Sequence, residues 1–240
     1  MMNDSPREAL LRLRDEAKDR AGSPFPRSVI QGYCDLETAF LGLARVSFLE
    51  DADIDGFFHN AYLAAAARRR LLMCVAQGTT CPPELLRVTL LSSIFAALAS
   101  GERKVAADLA ESPIATRAGP DDPRHEVAFA EALRLTILGR FAEAEAPFAR
   151  FERARDDRAE DRSLILGGIL KSDEARFNEG LTRFVAGLRH GPGEARLSLE
   201  AVGYARLGQR FGLEVAVADQ AIPEELLGEP EAPYPEEHRP

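Results

Sequence analysis

Four histidines, three cysteines and two tight groups of carboxylates are the residues of this chain best suited to chemistry. His59, His125, His190 and His238 are scattered along the sequence. His125-Glu126 opens like the zinc-protease pattern H-E-x-x-H, but Phe129 stands where the second histidine ligand must be. Cys34, Cys74 and Cys81 are odd in number and lack a C-x-x-C spacing, so they signal neither a disulfide framework nor a zinc site. The sequence contains no Gly-x-Ser-x-Gly elbow, Walker A loop or dinucleotide fingerprint. The residues therefore predict a protein that is not an enzyme, with no catalytic residues, no cofactor and no metal.

The carboxylates are more informative. Glu50, Asp51, Asp53 and Asp55 crowd one stretch, and Asp156, Asp157, Glu160 and Asp161 crowd another. Neither has the Gly-centred pattern of a calcium loop. Acidic residues collect before helix N-termini because they complement the helix dipole, and this reading suits both groups. Four carboxylates in the first group exceed what capping one helix requires, so Glu50, Asp51, Asp53 and Asp55 are the candidate partner-binding residues. Arg68-Arg69-Arg70 lies within a helical pattern, where adjacent residues point about 100° apart, and reads as a solvated face. Gly167-Gly168 sits in an apolar helical stretch and suits close helix packing better than phosphate binding.

The elements that carry these residues are helical. The chain has 45% hydrophobic and 29% charged residues, which is globular usage, and its apolar set is rich in Leu and Ala without period-two runs. The expected fold is all-α, an array of antiparallel helical hairpins. Ser5-Pro6-Arg7-Glu8 is a capping box that starts a first helix fading near Gly22. Val29, Tyr33, Leu36, Phe40 and Leu43 mark one face of a long second helix. A third helix is expected from about Asp55 to Gln77. Cys81-Pro82-Pro83-Glu84 is expected to open a fourth, ending at Gly101, and a short fifth follows to Glu111. Asp122-Pro123 is expected to cap a helix running to Leu138, and further helices are expected at about 158–171, 173–189 and 194–210. Phe141, Ala144, Phe148 and Phe151 form another apolar face, interrupted by Pro147, so that helix is either kinked or split.

Turn-like points at Gly101, Gly139, Asp173 and Gly208 are 38, 34 and 35 residues apart, near the period of tetratricopeptide-type helix pairs. Both a regular superhelix and an irregular array fit this spacing. The loop-like stretch 112–123 separates an N-terminal part (1–111) from a C-terminal part (124–227), as two units or as one continuous domain. A proline-rich tail, 228–240, follows and is expected to be mobile. The apolar run from Val88 to Gly101 is about fourteen residues, short of the roughly 20 a membrane span needs. The polar start of the chain predicts no secretory signal, and the expected location is cytoplasmic. A net charge of −9 disfavours nucleic acid and anionic membrane as partners and suits a basic one.

The C-terminal stretch carries a resemblance. The segment from Leu199 through Tyr204 to Leu213 contains Arg210-Phe211-Gly212-Leu213, followed by Ile222-Pro223-Glu224-Glu225-Leu226. It resembles the end of the immunity protein 49 family, where a helix leads to an Arg-x-Gly-Leu turn, a short extended segment and an Ile-Pro-x-x-Leu close. Val127 to Phe151 resembles that family in style only. The resemblance implies a cytoplasmic antidote in bacterial polymorphic-toxin systems, which binds a cognate protein toxin and neutralises it by occlusion. A toxin with a basic cleft would match the acidic balance. The alternative from another class is a helical-repeat scaffold or regulator that binds a peptide or protein.

Overall fold

The computed structural model describes residues 5–114, 118–153, 157–188, 197–230 and 234. Among these residues the chain is all-helical and no strand is present. In chain order the helices are α1 (Pro6–Ala21), α2 (Pro26–Leu49), α3 (Ile54–Ala76), α4 (Ser92–Ser100), α5 (Arg103–Glu111), α6 (Arg124–Ile137), α7 (Phe141–Phe151), α8 (Asp157–Lys171), α9 (Glu174–Leu188) and α10 (Leu199–Arg210). Short 3-10 turns span Pro83–Leu86 and Glu224–Leu227.

Local chemistry sets many of the helix ends. Ser5 accepts from the Glu8 backbone while the Glu8 carboxylate accepts from the Ser5 N–H, a reciprocal cap with Pro6 at the first helical position. After α6, Gly139 adopts φ +70°, a left-handed conformation that costs glycine little and stops the helix before α7. Helix α7 runs unbroken through Pro147, which overturns the split into two helices that the sequence allowed. Ala144, Phe148 and Phe151 of that helix are buried together with Pro147.

Two expectations are corrected. Pro83 opens a 3-10 turn, not a long fourth helix, and α4 begins only at Ser92. Asp122 does not cap α6: Pro123 holds the N-cap position, with no side-chain cap. The Asp122 carboxylate, almost wholly buried, accepts from the Gly119 N–H at 2.7 Å and lies 3.4 Å from both Arg87 and Thr89. This latch ties the segment before α4 to the loop before α6 and fixes Arg87 and Thr89 in the non-helical stretch that precedes α4.

Consecutive helices pack as hairpins, most extensively α1 on α2, α2 on α3, α6 on α7 and α8 on α9. The stack also folds back on itself, because α10 packs against α4 from the middle of the chain. One hydrophobic cluster contains Ala17, Phe40, Leu71, Phe95, Leu133, Phe177, Tyr204 and Ile222, so a continuous core crosses the 112–123 interval. No helix among the described residues is long and apolar enough to cross a membrane. Residues 189–196, which include the first residues expected in the last helix, lie outside the described residues.

Candidate functional site

The α2–α3 corner places the four candidate partner-binding residues on one exposed bend, where they take different roles. Glu50 occupies the C-cap of α2, donating its N–H to Val46. Asp51 faces α1, where Arg7 Nη1 reaches its two carboxylate oxygens at 2.7 and 2.6 Å. Between them and α3, Ala52 adopts φ +51°, which reverses the chain. Asp53 is the N-cap of α3, accepting from the Gly56 N–H at 2.8 Å. Asp55 lies in the first turn of α3, where a negative charge complements the dipole. Asp51 and Asp53 are thus committed to holding the corner. Glu50 and Asp55 are exposed, and their carboxylates make no hydrogen bond or ion pair among the described residues.

The second acidic group serves packing where it is described. Glu160 and Asp161 of α8 each meet Arg183 of α9 at 2.9 Å, which staples that hairpin. Asp156, His190 and His238 lie outside the described residues. His59 is half-buried on α3. His125 stands 3.8 Å from its neighbour Glu126, whose carboxylate also lies 3.3 Å from Arg162. Phe129, at the position a second metal ligand would need, is fully buried against Phe151 with the Arg162 guanidinium 4.9 Å from its ring centre. Among the described residues no three His, Cys, Asp or Glu side chains converge in a way that could hold a metal ion.

Cys34 is the cysteine with the largest departure from ordinary thiol behaviour. Burial, reinforced by the nearby Glu37 carboxylate and only partly opposed by Arg68, pushes its pKa up to about 11. A thiol is nucleophilic as its thiolate, which this environment disfavours. Iodoacetamide labelling of Cys34, followed site by site by mass spectrometry, is expected to stay slow at pH 8 and to accelerate only as pH approaches 11. Rapid labelling at pH 7 would identify Cys34 as an activated nucleophile.

The Arg68-Arg69-Arg70 run is not the solvated face that its sequence suggests. Arg68 is buried, donating to the Leu85 carbonyl at 2.6 Å and facing Glu37 at 3.9 Å. Arg69 pairs with Asp108 at 2.8 Å, and Arg70 alone is exposed. Two further buried arginines, Arg134 and Arg206, likewise spend their guanidiniums on backbone carbonyls. An isolated arginine on an amphipathic helix carries no sequence signal for this role, because its long stem suits solvent equally well.

The C-terminal motif residues are structural. Gly212 takes φ +82° after α10, and the Leu213 N–H bonds back to Gly208 at 3.0 Å. Leu213, Ile222 and Leu226 are buried. The segment expected to be extended forms no strand; the Asn178 side chain of α9 holds it instead, donating to the Glu214 carbonyl and accepting from the Ala216 N–H, both at 2.9 Å. Compared with protein-family models, curated proteins and solved structures, the chain matches none.

Proposed function

We propose that this protein is an immunity protein that binds and neutralises a cognate bacterial toxin by occluding it, presenting the α2–α3 corner to a basic surface. The observation that carries the reading is the pair of uncommitted carboxylates, Glu50 and Asp55, on a bend fixed by Arg7–Asp51 and by the Asp53 cap. Rigid, exposed charge of one sign steers association and sets register with a partner of the opposite sign. The −9 balance of the whole chain acts in the same direction. The likeness of the stretch from Leu199 to Leu227 to the immunity protein 49 family supplies the biological class.

The corner also decides which variant tests the reading. Reversing Asp51 and Asp53 would break the α1 contact and uncap α3, confusing loss of contact with loss of structure. Replacing Glu50 and Asp55 with Lys leaves both anchors in place. Lys at position 50 favours the α2 dipole and Lys at position 55 opposes that of α3, so the effects on stability offset. The Glu50→Lys, Asp55→Lys variant is expected to bind the cognate toxin with an association rate about tenfold lower at low salt. Its salt dependence should be flatter and its melting temperature close to the parent's. An unchanged association rate at both low and high salt would remove this corner as the contact surface.

A helical scaffold that binds a peptide is the second reading, and one surface favours it. A groove of about 830 Å³ between the start of α2 and the 80–85 segment is lined by Phe25, Ile30, Cys81, Pro82, Pro83 and Leu85, with Phe25 68% exposed. Failure to co-purify with the adjacent gene product after co-expression would favour this reading over immunity.

A further inference from the structure

A second cavity, remote in sequence from the acidic corner, has the opposite electrostatic character. It measures about 240 Å³ and lies where the end of α4, the start of α5, the end of α10 and the Glu224–Leu227 turn meet. Arg103, Arg206 and Arg210 line it together with Glu102 and Glu229. Two carboxylates against three guanidiniums leave the lining with one formal positive charge in excess. Glu102 is engaged in capping α5, accepting from the Lys104 N–H at 3.1 Å. Glu229, 80% exposed, comes no closer than 3.8 Å to Arg206.

The three guanidiniums differ in how they are satisfied. Arg206 is buried and donates to the carbonyls of Leu226 and Gly228 at 3.0 and 2.5 Å; it enters over Gly101, where any Cβ would collide with it. Arg210 lies against the Phe211 ring, 5.6 Å from its centre, and its Nη1 is shielded from solvent without any acceptor. Arg103 is exposed and makes no hydrogen bond or ion pair among the described residues. Burial, with the like charge of Arg103 adding to it, holds Arg210 below the ordinary guanidinium range. Arg103 and Arg210 thus line one cavity with no ion pair to either among the described residues, and two such cations together leave a site short of negative charge.

We infer that this cavity is an oxyanion-binding site that takes a small phosphate- or carboxylate-bearing molecule between Arg103 and Arg210. A guanidinium presents a planar fork of donors that matches either group in bidentate fashion. The volume sets the size of the guest. With about 30 Å³ per water molecule, the cavity has room for a phosphate group or a short dicarboxylate but not for a drug-sized ligand. Such a guest accepts from Arg103 and from the part of the Arg210 guanidinium that lines the cavity, and bridges α5 to α10. The site does not depend on the immunity reading and does not share its residues.

Thermal unfolding of the full chain in titrations of sodium phosphate and of sodium succinate, each against sodium chloride at matched ionic strength, tests the inference and separates the two oxyanion classes. At least one of the two is expected to raise the melting temperature saturably, with half-effect in the millimolar range. Arg210→Gln and Arg103→Gln are each expected to weaken the apparent affinity about tenfold, as loss of one charge-assisted hydrogen bond does. Arg103 is exposed, so its variant keeps the test intact if Arg210→Gln compromises folding. No saturable shift with either anion overturns the site, and so does a shift of equal size and midpoint in the Arg103→Gln variant.

Discussion

Gly168→Ala is expected to lower stability by about 2 kcal/mol, although alanine is the better helix former by about 1 kcal/mol. The reason lies in the α8–α9 hairpin. A Cβ at Gly168 would stand 2.6 Å from the Phe177 nitrogen and 2.7 Å from its Cα, and backbone atoms cannot swing aside as a side-chain end can. Gly180 of α9 makes the reciprocal approach, with its Cβ position 2.6 Å from the Ile165 nitrogen of α8. Two helices in such backbone contact must separate to admit a methyl group. Phe177, fully buried and packed beneath α10, would then lose its fit. Urea unfolding followed by circular dichroism should show the loss, equivalent to roughly 4–8 °C in melting temperature for a chain of this size. Gly187→Ala, near the end of the same α9, has open space around the new methyl and should stabilise by up to about 0.5 kcal/mol. Equal effects of the two variants would refute the close-approach account.

Arg206→Ala is expected to cost about 3 kcal/mol. The guanidinium lies 5.2 Å from the centre of the Phe58 ring of α3 and donates to the Leu226 and Gly228 carbonyls, so one side chain joins α10, α3 and the closing 3-10 turn. Truncation leaves the Leu226 carbonyl in a buried position without its donor, and that unsatisfied group is the larger part of the loss. Arg206→Lys keeps the charge but offers no planar fork to serve two carbonyls and an aromatic face together, so it should recover less than half. The damage should concentrate at the C-terminal end. Tyr234 stacks on Tyr62 with ring centres 4.3 Å apart and donates its hydroxyl to the Ser100 carbonyl, beside this same junction. Limited proteolysis should cut the segment after Gly212 faster in Arg206→Ala than in the parent. A parent-like cleavage rate would mean that the closing turn is held by its apolar contacts alone.

The helical ends that were legible in the sequence are those set by chemistry within a few residues. Ser5 and Glu8 satisfy each other's backbone donors, Asp53 reaches the Gly56 N–H, and Gly139 accepts a left-handed φ. The apolar spacing of Leu36, Phe40 and Leu43 likewise foretold a buried face, since period and burial are properties of one helix. Position 122 shows the limit. Asp122-Pro123 has the local form of a helix start, yet the carboxylate turns to Gly119, Arg87 and Thr89, partners that only the assembled loops bring near. The same latch accounts for the α-helix beginning only at Ser92, after the 3-10 turn Pro83–Leu86. Helix propensity there is outweighed by contacts more than thirty residues distant.

The candidate surfaces divide in the same way. By itself the sequence determined that four carboxylates would gather at the α2–α3 bend, because all four lie within six residues of one another and no fold could scatter them. Only the tertiary structure decided that Asp51 is engaged by Arg7 of α1 while Glu50 and Asp55 remain open. The arginine cavity was invisible, since Arg103 and Arg210 are more than a hundred residues apart and share no motif. Their convergence follows from α10 folding back onto α4, and that in turn follows from packing: Tyr204 meets Phe95 edge-on at 4.9 Å, with Gly203 clearing the approach. Short-range hydrogen bonds and periodicity are written along the chain. The choice of which buried faces meet is made by the shape of the whole core, and that choice created the site.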